Sequence, residues 1–292
     1  LRRNLFKRAS VSLKYQGGVE AYAGRAQENR TVQQLSGTAS LRLGKGISAG
    51  CEADIKSKLF FTADRGFSRY TLKPFLHLSL APGYTATLHL ATGLLDYSGS
   101  SFYDYHSLTI TASVTASLNR SLSLGISAAG GRSSYKRKAL EAVEEQGGVV
   151  WYQLRHKQED RVQRFYFSLE WYNQLLVRLR AGILKQTSNS SGFDFLLPEI
   201  TLSAAFHLTP KLLCRCYFSL LLKQYQDDFT SVIRLRPDRE NMENSHLVID
   251  LSLPLLSETD IYLRAGWFRS ESPFRDFYYA KKRVTTGLSW RF

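Results

Sequence analysis

Apolar and polar residues alternate with a period of two along almost the whole chain, and this pattern excludes most folds. A strand places successive side chains on opposite faces, so sustained alternation gives a sheet with one apolar and one polar side. The last segment is the clearest case. Val284, Thr286, Leu288, Trp290 and Phe292 share one side, while Arg283, Thr285, Gly287, Ser289 and Arg291 share the other. Further back, Leu108, Ile110, Ala112, Val114 and Ala116 alternate with Thr109, Thr111, Ser113 and Thr115. Cys214, Cys216, Phe218 and Leu220 alternate with Arg215, Tyr217 and Ser219.

The spacing predicts about fourteen antiparallel strands in an up-and-down barrel. They run over 9–23, 31–43, 47–60, 68–80, 84–97, 105–118, 121–133, 161–172, 175–186, 195–208, 212–226, 244–255, 261–270 and 281–292. Tight connections fall at Gly44-Lys45-Gly46, Ala81-Pro82-Gly83, Asn119-Arg120, Asn173-Gln174, Thr209-Pro210-Lys211 and Ser257-Glu258-Thr259. Glycine, proline, asparagine and serine are the expected turn formers. Between them lie longer polar stretches near Arg25–Arg30, Thr62–Phe67, Ser98–Asp104, Ser134–Asp160, Thr187–Phe193, Asp227–Glu243 and Ser270–Tyr279. Strict alternation of short and long connections is the habit of outer-membrane barrels, whose periplasmic turns are short and extracellular loops long. An even count puts both termini on the short-turn side, expected to be periplasmic. The stretch 134–160 is read as a loop able to fold inward, and Lys138–Glu145 within it has a helix-favouring composition.

A soluble β-sandwich also alternates, but its strands usually run to only about five or six residues. No run approaches about 18 apolar residues, so no helical membrane span is encoded, whereas a barrel strand needs only about 9–11. The fold class expected is therefore all-β: a transmembrane antiparallel up-and-down β-barrel forming a single domain over residues 1–292. The chain does not open with Met and shows no signal-peptide core, which reads as a mature form or the C-terminal part of a longer protein.

With apolar residues facing lipid, the lumen side carries Lys14, Arg42, Lys56, Lys58, Lys73, Arg164, Arg178, Arg180, Arg215, Lys223, Arg264, Arg283 and Arg291. Its acids are Glu20, Glu52, Asp54, Glu170, Glu199 and Asp250. Thirteen bases against six acids leave an excess that internal ion pairs cannot absorb. The whole chain has a net charge of +14. Basic rings favour anions in a pore, although part of the charge could serve lipopolysaccharide phosphates. Fourteen strands also enclose more room than eight, whose interior side chains fill the space.

Other chemistries find little support. The three cysteines, Cys51, Cys214 and Cys216, are an odd set for a disulfide framework and fall on the apolar face. No spacing suggests a metal or cofactor, and basic residues alternate with apolar ones instead of clustering as in nucleic-acid binders. His77 should oppose Thr87 and lie diagonal to His89, with Ser79 nearby. No carboxylate accompanies them at that depth, so no enzyme is expected.

The ending Gly287-Leu288-Ser289-Trp290-Arg291-Phe292 resembles the carboxy-terminal strand of bacterial outer-membrane proteins. That resemblance implies an outer-membrane location among lipid and lipopolysaccharide. It also implies recognition by the barrel-assembly machinery, with Trp290 and Phe292 as the assembly signal. The basic opening Leu1–Arg8 and the aromatic edges Tyr103-Asp104-Tyr105 and Phe277-Tyr278-Tyr279 are similar to barrels that follow periplasmic helical repeats. Exopolysaccharide export proteins and surface lipoprotein assembly modifiers contain such barrels. Two functions are thus expected. One is a porin-like channel with a basic lumen for anionic solutes. The other is a translocation barrel exporting a polymer or protein with periplasmic helical-repeat partners.

Overall fold

The computed structural model describes residues 2–6, 8–20, 29–62, 66–99, 101–145, 148–226, 245–256, 259–270 and 279–290. A short β1 (Arg2–Phe6) precedes β2 (Ala9–Glu20), β3 (Arg30–Gly44), β4 (Ile47–Phe60), β5 (Phe67–Ala81), β6 (Tyr84–Tyr97) and β7 (Tyr105–Ser117). Then come β8 (Leu122–Glu145), β9 (Gly148–Tyr172), β10 (Leu176–Ser188), β11 (Phe195–His207), β12 (Leu213–Leu221) and a fragment, β13 (Gln224–Tyr225). The last three are β14 (Ser245–Leu256), β15 (Thr259–Ser270) and β16 (Tyr279–Trp290). Strands β2 to β12 and β14 to β16, eleven and three, are the fourteen long strands that the alternation predicts. Each pairs with the next in chain order, β12 with β14, while β13 pairs with β11. Where register is resolved the pairing is antiparallel throughout.

The turns form for local reasons. Gly46 and Gly83 close the β3–β4 and β5–β6 hairpins at φ of 77° and 82°, where a Cβ would be strained. Asn119 Oδ1 accepts from the backbone N–H groups of Ser121 and Leu122 at 2.8 and 2.9 Å. Thr209 Oγ1 does the same for Leu212 at 3.1 Å.

The stretch 134–160 corrects the sequence expectation of a loop with a helical piece. β8 and β9 continue through it as 24- and 25-residue strands. Lys136 N–H donates to Asp104 O at 3.0 Å, level with the start of β7, so the rest of β8 runs beyond its neighbour. Val149-Val150-Trp151-Tyr152 are strong strand formers, and their hairpin overrides the helix propensity of 138–145. The outer edge of this ribbon does not stay open. Ser191 N–H donates to Leu140 O at 2.9 Å, and the Ser190 and Ser191 hydroxyls accept from Leu140 and Ala142 N–H at 3.0 and 3.2 Å. Covering an edge in this way removes a template for aggregation.

Tertiary contacts divide the chain into two units. The first comprises Leu1–Val114, Ser127–Gln163 and Gln186–Asp194; the second comprises Thr115–Ile126, Arg164–Lys185 and Phe195–Phe292. In both, burial is inverted relative to a water-soluble sheet. Leu13, Leu88 and Ile110 of the first unit, and Leu118, Ile200 and Leu263 of the second, are exposed on the apolar face. Among the described residues few hydrophobic side chains are buried: Phe67, Leu95 and Ala139 in the first unit, and Tyr166, Leu184, Phe195, Leu197 and Cys214 in the second. Apolar faces exposed in this way call for lipid as their solvent. Among the described residues no helix is long and apolar enough to cross a membrane.

Candidate functional site: the polar face

In the first unit the strand register puts Lys14 opposite Ser36, Ser36 opposite Asp54, and Asp54 opposite Thr71. Arg42, Lys56, Lys58 and Lys73 share that face by alternation. Asp54 accepts from Gln34 Nε2 at 2.7 Å and from Ser36 Oγ at 2.8 Å, and Arg69 stands 3.7 Å from it. These groups line a cavity of 430 Å³ with Glu52, Lys73 and the hydroxyls of Thr38, Thr71, Ser107 and Thr109. Lys58 is only 2% exposed, with its ammonium over the rings of Phe60 (5.3 Å) and Phe67 (5.8 Å). Arg69 is absent from the expected site residues, although its position four residues before Lys73 carries the signal.

In the second unit Arg178 donates from Nε to Glu170 at 2.8 Å, and Arg264 Nε donates to Asp250 at 3.1 Å. Arg215 opposes Asp250 across β12 and β14. The Arg180 guanidinium lies 3.6 Å from the centre of the Tyr166 ring. Lys223 Nζ lies 3.7 Å from the centre of the Phe195 ring. Arg178 and Arg180 line a cavity of 450 Å³ together with Glu170, Thr201, Ser203 and Tyr217. Arg283 Nε donates to Thr285 Oγ1 at 3.2 Å, and Arg164 stands two residues before Tyr166 on β9. Arg291 and Phe292 lie outside the described residues, as does the side chain of Trp290, which ends β16.

His77 opposes Thr87, with Nδ1 3.1 Å from Oγ1. His89 pairs with Phe75, their rings 5.9 Å apart, and so lies diagonal to His77, as expected. All three cysteines are free, on the apolar face, with Cys214 and Cys216 Sγ atoms 3.8 Å apart. Among the described residues no group of three potential metal ligands comes together.

Sequence reasoning missed a buried polar cluster where β8 and β9 outrun their neighbours. The Arg137 guanidinium lies 4.2 Å from the centre of the Tyr135 ring, 5.2 Å from Phe193 and 5.5 Å from Phe102. Its Nε donates to Gln158 Oε1 at 2.7 Å, and Gln158 Nε2 donates to Asp160 Oδ1 at 2.8 Å. Ser188 Oγ and Gln186 Nε2 donate to the same carboxylate at 2.7 and 3.2 Å. Burial pushes the Asp160 carboxyl up, against the lowering effect of these hydrogen bonds and of Arg137. Nearby, Asp104 accepts from Tyr97 N–H at 2.8 Å and from Lys136 Nζ at 2.6 Å. Burial would raise its carboxyl, but these bonds outweigh it and hold it below the usual carboxylate value. The cluster pins the hairpin, the Ser101–Tyr103 turn and the 189–194 loop together.

No protein-family model and no curated protein matches the chain. Among solved structures, CdiB from Acinetobacter baumannii is 9% identical, with 98% of this chain and 54% of that one aligned at a TM-score of 0.61. A mutant of the ferric enterobactin receptor PfeA from Pseudomonas aeruginosa, in complex with enterobactin, is 9% identical over 90% of this chain and 45% of its own, at 0.49. A loop-deletion form of OmpT, an outer membrane protein of Vibrio cholerae, is 9% identical over 97% and 99%, at 0.48. The chain spans about half the length of CdiB and of the receptor. The likeness to CdiB bears on fold alone. The chain has the fold of a bacterial outer-membrane β-barrel, antiparallel and up-and-down, with about fourteen transmembrane strands.

Proposed function

We propose that the chain is an outer-membrane channel whose basic lumen favours anionic solutes, with both termini in the periplasm. The carrying observation is that cations outlast the carboxylates available to them. Arg178 and Arg264 have their acids, and Arg69 stands near Asp54. Lys14 opposes Ser36, Arg42 opposes Ser48, and Arg283 opposes Gly266, and no carboxylate pairs with these three among the described residues. Fixed cations raise the local concentration of anions and repel cations. Lipid and lipopolysaccharide would surround the apolar face, and the barrel-assembly machinery would insert it.

The test is the reversal potential across a KCl gradient in planar bilayers. Chloride should be preferred, most strongly in dilute salt, because screening shortens to about 10 Å at 0.1 M. Replacing Arg178, Arg180 and Arg215 by Gln should move selectivity toward potassium, since three fixed cations are lost and Glu170 loses Arg178, while Asp250 keeps Arg264. Potassium preference in the unmodified protein rejects the reading. A barrel that inserts but never conducts rejects it too, in favour of a translocation barrel that opens for an exported polymer or protein with a periplasmic partner.

A further inference from the structure

We infer that the short-turn end of the first unit holds a binding site for phosphate-bearing solutes, built from Arg8, Arg42 and Lys45. A cavity of 700 Å³ opens there, and its charged and polar lining is Arg8, Arg42, Lys45, Ser48, His77 and Ser79. The backbone fixes the group. Arg42 N–H donates to Arg8 O at 2.8 Å, and Ser79 N–H donates to Gly46 O at 2.6 Å. Arg42 opposes Ser48, and Ser48 opposes His77. Three strands and the lead into β2 thus bring two guanidinium groups, an ammonium, an imidazole and two hydroxyls to one place.

Charge separates this cavity from the others on the polar face. Elsewhere in the first unit Glu52 and Asp54 offset Arg69 and Lys73, and in the second unit Glu170 offsets Arg178. No carboxylate lines the 700 Å³ cavity, and none pairs with Arg8, Arg42 or Lys45 among the described residues. Cations gathered without acids repel one another, and a multivalent anion relieves that repulsion. Guanidinium forks match the oxygens of phosphate bidentately, Lys adds a point charge, and hydroxyls donate to the remaining oxygens. The volume exceeds one phosphate and suits a diphosphate or a phosphorylated small molecule. We take the occupant to be a solute and not a lipid headgroup, because Arg42, Ser48, His77 and Ser79 share the polar face by alternation; Leu43 and Ile47 border the cavity only at the turn.

The inference rests on the anion-channel reading in taking the occupant from the lumen, but its test needs no conduction. Pyrophosphate is titrated into the whole folded barrel in zwitterionic micelles, followed by calorimetry and by phosphorus NMR line width. Saturable binding is expected, weakened about tenfold or more in Arg42→Gln/Lys45→Gln, as loss of hydrogen bonds to a charged group predicts. Lys211→Gln, in the Thr209–Lys211 short turn of the second unit, should bind as the parent does, and so should a parent sample doped with phosphatidylglycerol. Absence of saturable binding overturns the site. So does an equal loss in Lys211→Gln, which would mark a general charge effect, or displacement of pyrophosphate by the lipid. Binding without chloride preference in bilayers would sink the channel reading alone, and chloride preference without binding would sink this site alone.

Discussion

Gly182 on β10 gives the sharpest test of how the polar wall is packed. The Tyr166 ring from β9 crowds it. A Cβ on residue 182 would sit 2.1 Å from Tyr166 Cδ1, 2.7 Å from Cε1 and 2.6 Å from the Phe165 carbonyl oxygen. Carbon atoms rest about 3.5–4.0 Å apart, so in Gly182→Ala the ring must slide by more than an ångström. Sliding removes it from beneath the Arg180 guanidinium, now 3.6 Å from its centre. Overpacking costs about 1–3 kcal/mol and the cation–π contact about 0.5–1 kcal/mol, so the substitution should cost about 2–4 kcal/mol. In a Tyr166→Ala background the ring and its contact are already gone, and only the Phe165 carbonyl still crowds the new methyl. The cost should then fall by at least about 1 kcal/mol, a coupling of the size seen between touching residues. Urea unfolding of the barrel in lipid vesicles, followed by tryptophan fluorescence, measures all four corners of the cycle. Equal costs in the two backgrounds would show that the ring does not lie where the structure puts it.

Ile110, exposed on the apolar face near the middle of β7, should tolerate Arg badly, with a loss of about 2–4 kcal/mol near the bilayer midplane. Thr111→Arg, on the opposite face, should be much milder in the same unfolding assay, and the reverse order would invert the register. The Asp104 carboxyl titrates below its ordinary 3.8 when folded, so the stability it contributes is complete above that pH and is lost as pH falls through the folded value. The difference in urea midpoint between the parent and Asp104→Asn should therefore shrink between pH 7 and acid, and a difference that stays constant would remove the Lys136 pairing from the stability of this region.

The sequence by itself determined the strands and their faces. Alternation is a local property of two-residue period, and a shift of one residue would send every apolar side chain to the wrong solvent. That is why Lys14, Arg42, Arg178 and Arg264 could be assigned to the polar side, and why His77 could be set against Thr87 before any coordinates. Tertiary structure decided the rest, because it depends on partners distant in sequence. Residues 138–145 favour a helix taken alone, yet they become strand because 148–155 and the Ser190–Ser191 turn satisfy their backbone. Arg137 and Asp160 fall within a stretch that reads as a polar loop, and only Phe102, Phe193 and Ser188, distant in sequence, close over them. Which cations keep a carboxylate also turned on register. Arg264 meets Asp250 directly across the β14–β15 pair, whereas Arg42 meets only Ser48. Composition fixed the excess of positive charge, and the pairing of strands fixed where it stays uncompensated.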